Sequence, residues 1–171
     1  LADLWCALEC DHIFQFDLLK LIPFRSALAS LFPRRKWNRP RGLVDTAPLR
    51  HLLERVFDSR SNAPIRGIAD NLRSGSLHAV ALITLDYMTG QSVRWVQGRN
   101  ADIFDGPNRR SACTDLTVEH VMASAALPFV FPAIRIGSAW HGDGGIRLAA
   151  PLSPAVHLGA RRILAMSSLG A

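Results

Sequence analysis

Two stretches carry most of the information in this chain: Glu119-His120-Val121-Met122-Ala123-Ser124-Ala125-Ala126-Leu127-Pro128-Phe129-Val130-Phe131-Pro132 and, shortly after, Trp140-His141-Gly142-Asp143-Gly144-Gly145. Thr117 is placed to cap a helix whose Val118, Val121, Met122 and Ala125 share one face, and Pro128 ends it. Ala123, Ser124 and Ala126 are small, so that helix can approach a neighbour closely. Phe129 to Ile136 reads as a strand, Gly137-Ser138 as a turn, and Ala139 to Gly145 as the returning strand. Three glycines around one carboxylate allow backbone conformations closed to other residues and leave room for a neighbouring chain or a substrate beside Asp143. Two readings of that cluster stand side by side. One is the tight turn that glycine-flanked Asp commonly makes, and the other is a catalytic or ligand-binding carboxylate. A phosphate cradle is disfavoured, because the chain has neither Gly-x-Gly-x-x-Gly nor a Walker pattern.

Working outward, Leu77 to Leu85 is almost continuously apolar, with β-branched Val80, Ile83 and Thr84, and reads as a strand buried on both faces. Met88-Thr89-Gly90 turns it into a second strand, Gln91 to Gln97, followed by a polar loop containing Gly106-Pro107-Asn108. Upstream, Asp45 or Thr46 caps a helix with Pro48 in its first turn and Leu49, Leu52, Leu53 and Val56 at helical spacing. Another helix runs from Ala63 or Pro64 to Arg73. Downstream, a short helix from Ser153 to Leu158 stops at Gly159, before a strand at Ile163 to Met166. The first 32 residues suggest two or three short helices interrupted at Pro23, and 33–42 is a basic Pro/Arg-rich connection. Helices mixed with strands that are apolar on both sides imply an α/β fold with three α/β/α layers.

The 171 residues, 49% hydrophobic and 20% charged, fit one globular domain. Lys20 and Lys36 are the only lysines behind a formal charge of +6, so the positive charge is nearly all guanidinium. That excess permits an anionic membrane or nucleic acid as a partner without establishing either, and no nucleic-acid-binding motif is present, so nucleic acid is not expected. Cys6, Cys10 and Cys113 form neither a disulfide framework nor a Cys-x-x-Cys zinc pair, which points to reduced thiols in the cytoplasm. No apolar run reaches membrane-span length and no signal-peptide pattern is present. A metal cluster from Asp86, His141 and Asp143 is disfavoured, and Asp86 reads as a turn carboxylate. His120 and His141 read as neutral rings, His120 as a helix cap or a core hydrogen-bonding group.

The helix with Ala123-Ser124-Ala125-Ala126-Leu127-Pro128, the Phe131-Pro132 pair, Gly142-Asp143-Gly144-Gly145, Pro151 and Leu158-Gly159-Ala160 follow one another in an order and spacing that resembles the C-terminal part of the patatin-like phospholipase family. The likeness runs over about Thr117 to Ser167. Thr84-x-Asp86-Tyr87-x-Thr89-Gly90 and Ala47-Pro48-Leu49-Arg50 look like bacterial members more loosely. The resemblance implies a serine–aspartate dyad that hydrolyses phospholipid or other acyl esters without metal or organic cofactor. Asp143 would take the aspartate role, with Gly142, Gly144 and Gly145 as its supporting motif.

The nucleophile expected by that resemblance sits in Gly-x-Ser-x-Gly at a strand-to-helix elbow, and this sequence contains no such motif. Gly75-Ser76-Leu77 and Gly137-Ser138-Ala139 lack the glycines needed two positions away on both sides, Ser124 sits in a helix of small residues, and the glycine-rich oxyanion loop is missing as well. Together with an opening Leu1, these absences lead to the expectation that residues 1–171 are the C-terminal portion of a single patatin-like domain, incomplete at the N-terminal strand, oxyanion loop and elbow. The chain alone is then expected to be inactive and to self-associate through uncovered apolar surface. The alternative is a noncatalytic or degenerate membrane-binding interaction module. The partners expected are a lipid or acyl-ester substrate and peripheral contact at the inner membrane surface. For that contact, Phe24, Leu28, Leu31, Phe32 and Trp37 accompany the basic stretch.

Overall fold

The computed structural model describes residues 15–16, 43–60, 62–98, 105–147 and 152–166. The expectations for the 33–42 connection, Cys6 and Cys10 lie outside these residues, as does that for the helices before Pro33 except at Gln15–Phe16, which are strand and not helix because they pair with a second extended segment. Two short strands, β1 (Gln15–Phe16) and β2 (Val44–Asp45), pair antiparallel. Helix α1 (Ala47–Val56) follows, with proline in its first turn, and Asp45 Oδ1 accepts the Ala47 N–H at 2.9 Å. Thr46 holds the cap position without a side-chain bond. Helix α2 (Arg66–Ser74) ends at Gly75, whose φ of 78° is the left-handed geometry that glycine adopts without a Cβ penalty.

Five strands form the main sheet in the order β5-β4-β3-β7-β6: β3 (Ala79–Asp86), β4 (Ser92–Gly98), β5 (Arg109–Cys113), β6 (Ile134–Ile136) and β7 (Ala139–Asp143). β3 runs antiparallel to both β4 and β7, β6 is antiparallel to β7, and only β4 and β5 are parallel. The fold is therefore α/β with a mixed sheet. Helix α3 (Val118–Ser124) lies against β3, β6 and β7, and the 3-10 turn Gly144–Arg147 lies against β3. Val118, Met122, Ala123, Ala126 and Ile134 make the buried cluster, with Leu49, Leu53 and Phe57 of the α1 region packed against it. The apolar stripe of α1 thus faces α3, although Val56 at its end is exposed.

Four further expectations are corrected. β3 is not buried along its length: Ala79 to Ile83 are half-buried and only Thr84 and Asp86 are fully covered. Its two neighbours are antiparallel, so no crossover helices blanket it, and α3 packs at one end. The strand expected from Phe129 shortens to Ile134–Ile136, because 128–131 is a turn in which Phe129 has a φ of 67°. Ile163 to Met166 is irregular and exposed instead of a strand. The polar loop after Gln97 contains β5, whose Arg109-Arg110-Ser111-Ala112-Cys113 lacks an apolar alternation because it is an edge strand.

Candidate active site

Asp143 is the last residue of β7. In register it faces Thr84 of β3, Gly142 faces Leu85 and His141 faces Asp86. Its own N–H donates to the carbonyl of Ala126, just past the end of α3, at 2.8 Å, so the chain leaving that helix is held against the strand end. The side chain is half-buried, and Oδ1 accepts the Gly145 N–H at 2.8 Å. This is turn chemistry, and the chain enters the 3-10 turn there. Among the described residues nothing bonds Oδ2 and no cation pairs with the carboxylate. Arg147, the nearest arginine in sequence, donates instead to the Gly90 carbonyl.

Each glycine of the motif has a different task. A Cβ on Gly144 would fall 2.4 Å from the Ile83 carbonyl oxygen and 2.6 Å from its Cγ2, so residue 144 passes directly over the β3 backbone. A Cβ on Gly142 would fall 1.9 Å from the Tyr87 hydroxyl and 3.1 Å from the Ala126 carbonyl oxygen. A Cβ on Gly145 would lie 3.2 Å from Asp143 Oδ1. Side chains are stripped from around the carboxylate by close approach of β3, Tyr87 and α3.

Behind Asp143 is a buried polar network. Trp95 Nε1 donates to Thr84 Oγ1 at 2.8 Å, and the same hydroxyl is hydrogen-bonded to His141 Nδ1 at 3.0 Å. The indole meets His120 and His141 edge-on, with ring centroids 4.8 and 5.5 Å away. His120 is the third residue of α3 and forms a capping box with Thr117, its Nδ1 2.9 Å from Thr117 Oγ1. Burial, then the neighbouring His141, lowers the His120 imidazole to about 4. Burial also lowers His141, with Asp86 opposing and Arg110 reinforcing the shift. Both rings are neutral near pH 7, which suits structural roles. Asp86 is the turn carboxylate expected: Oδ1 accepts the Met88 and Thr89 N–H groups at 2.8 and 3.4 Å. Burial raises its carboxyl, but those bonds, the Thr89 side chain and His141 bring it below the ordinary carboxylate range.

A group of three or more His, Cys, Asp or Glu able to hold a metal is absent among the described residues. A cavity of about 650 Å³ near the end of α1 and the start of α2, lined by residues including His51, Arg55, Arg60 and Arg66, does not include Asp143. Sequence reasoning singled out Asp143 and its glycines but gave no part to Thr84, Tyr87 or Trp95, which the sheet brings to the same place. No local pattern links them, since the pairing of β3 with β7 spans more than fifty residues. Compared with known proteins, the chain matches the family model described as Patatin-like phospholipase over residues 3–156. No curated protein and no solved structure matches it.

Proposed function

The chain belongs to the patatin-like phospholipase family, a family of lipid acyl hydrolases, and we propose that Asp143 is the base of its serine–aspartate dyad. The observation that supports this most is the carboxylate at the β7 end, anchored through one oxygen and otherwise unpaired among the described residues. In the reaction, a serine hydroxyl passes its proton to Asp143 as its oxygen bonds the ester carbonyl carbon. The tetrahedral oxyanion collapses, and the leaving alkoxide takes that proton as it departs, which leaves an acyl-serine. Water then repeats the sequence: its proton goes to Asp143, its oxygen attacks the acyl carbon, and the serine leaves reprotonated as the free acid is released.

The Gly-x-Ser-x-Gly nucleophile that this chemistry requires is not in residues 1–171, so we assign it to a segment outside them. The substrate is a phospholipid or another acyl ester, and contact with the lipid surface is peripheral. Leu127 and Phe129 are 44% and 89% exposed on the turn that follows α3, next to Leu43, whose N–H donates to the Phe129 carbonyl. These exposed apolar side chains suit contact with a lipid surface, and the basic 33–42 stretch complements anionic headgroups at the cytoplasmic face of a membrane. Among the described residues, no helix is long and apolar enough to cross a membrane.

The test compares residues 1–171 with the same chain extended to include the upstream coding sequence, using a short-chain nitrophenyl ester and a fluorophosphonate probe. The account expects no turnover and no labelled serine in the former, and both in the latter. Labelling of a serine within 1–171 would overturn the placement of the nucleophile. An inactive extended chain without a Gly-x-Ser-x-Gly segment would favour a noncatalytic membrane-binding module.

A further inference from the structure

Thr84 stands directly across from Asp143 in the pairing of β3 with β7. One step beyond Asp86 and His141, the Tyr87 N–H donates to the Trp140 carbonyl at 2.9 Å, so Tyr87 and Trp140 are a hydrogen-bonded pair. By the alternation of an antiparallel ladder, Thr84 and Asp143 are then a non-hydrogen-bonded pair. The Asp143 N–H accordingly turns away from β3, to the Ala126 carbonyl. In such a pair the Cα atoms approach to about 4.5 Å and the two side chains stand close together on one face. The cross-strand neighbour of the carboxylate is therefore the Thr84 side chain, and no backbone bond joins the strands at that pair.

A side chain makes the tie instead. Thr84 is fully buried, and its Oγ1 has two partners among the described residues, Trp95 Nε1 of β4 at 2.8 Å and His141 Nδ1 of β7 at 3.0 Å. The register puts both on the Asp143 face, since Trp95 pairs with Leu82 and His141 precedes Asp143 by two residues. An indole N–H can only donate, so the hydroxyl accepts from Trp95 and its one proton goes to His141 Nδ1. His141 is thereby held as the tautomer that carries its proton on Nε2. One oxygen braces three strands, and because threonine is β-branched, fixing Oγ1 also fixes χ1 and the γ-methyl.

We propose that Thr84 is a positioning residue for ester hydrolysis: its hydroxyl, clamped between Trp95 and His141, holds β3 to β7 beside Asp143 and fixes the wall against which the carboxylate stands. The inference rests on Asp143 as the base. Thr84 takes no part in the chemistry, and its hydroxyl touches neither the substrate nor the transferred proton. It sets where Asp143 Oδ2, the oxygen not held by the Gly145 N–H, lies when the proton of the serine or of water must reach it. A displacement of about 1 Å there costs rate without weakening substrate binding. A threonine that only packed the interior would affect stability and leave the turnover of the folded molecule unchanged.

The experiment uses the active protein that contains this chain, assayed on one acyl ester at a temperature well below the unfolding midpoint of every variant. Thr84→Val, which keeps the side-chain shape and removes the hydroxyl, is expected to lower kcat about 10- to 100-fold with KM within about threefold of wild type. Thr84→Ser, which returns the hydroxyl, is expected to restore kcat to within about threefold of wild type. An unchanged kcat in folded Thr84→Val, a rise in KM in place of the fall in kcat, or a serine variant no better than valine overturns the positioning role and leaves Asp143 as the base. Activity retained by Asp143→Asn overturns the reading beneath it, and the Thr84 inference with it. A second readout needs neither substrate nor a variant of Thr84. Nitrogen NMR of the protein with isotope-labelled histidines, the His141 signals being assigned by their loss in His141→Gln, should show the ring proton on Nε2 at neutral pH. A proton on Nδ1 breaks the link from the hydroxyl to β7 and overturns the proposal.

Discussion

Gly142, Gly144 and Gly145 occupy consecutive roles that one substitution series separates. Gly144→Ala drives a Cβ into the Ile83 backbone, which cannot swing aside, so the variant should lose about 1–3 kcal/mol in denaturant unfolding. Gly142→Ala meets mainly the far end of the Tyr87 side chain and should displace the phenol, which burial raises above its ordinary value, bringing the tyrosinate midpoint toward that of a free tyrosine with a smaller stability loss. A Gly144→Ala protein as stable as wild type would show that the turn does not cross β3 as described. Asp143 and its glycines were legible in the sequence because their chemistry is local: a carboxylate flanked by residues without Cβ atoms. Tyr87 was legible only as part of a family-like turn. What places it against Gly142 is the lateral pairing of β3 with β7, which no local spacing encodes.

At the scale of elements, α3 joins the site to the core. Its start is capped by Thr117 with His120, its inner face buries Val118, Met122 and Ala123, and the chain just past its end supplies the Ala126 carbonyl to Asp143. Met122→Ala should cost about 2–4 kcal/mol in unfolding free energy, since the side chain is buried in the central cluster. The histidine cap also makes stability depend on pH. His120 is lowered from 6.5 to about 4, so below 6.5 the unfolded chain binds a proton that the folded chain refuses. Its contribution is complete above pH 6.5 and declines as pH falls toward about 4, by about 3 kcal/mol over that range. Urea titrations at pH 7.5 and 4.5 should show that decline in wild type and a smaller one in His120→Gln; equal declines would contradict a buried, neutral His120. Helices α1 to α3 were legible from their prolines, caps and apolar spacing, which are local signals. β5 was missed because five mostly polar residues at a sheet edge carry no alternation, and Phe129 to Ala133 was read as strand because alternation alone does not reveal a positive φ at Phe129.

Over the whole molecule, the formal charge of +6 and the exposed Phe129, Leu164 and Met166 describe a basic chain with apolar side chains at its surface. Residues 1–171 in isolation should associate as concentration rises, and binding to anionic phospholipid vesicles should weaken with added salt while neutral vesicles bind less. Sedimentation velocity and vesicle co-sedimentation check these two outcomes, and a monodisperse monomer indifferent to vesicle charge would contradict both. The α/β class was legible in the mixture of helical and extended patterns, but the mixed strand directions were not, because direction is decided by pairings between distant segments. The account as a whole depends on Asp143 acting as the base. Its most direct test is kcat/KM for ester hydrolysis by the active protein carrying Asp143→Asn, a change that keeps the side-chain shape and removes the proton acceptor. A fall of about a thousandfold or more, with the unfolding midpoint essentially unchanged, is the predicted result, and activity within a few-fold of wild type would contradict it.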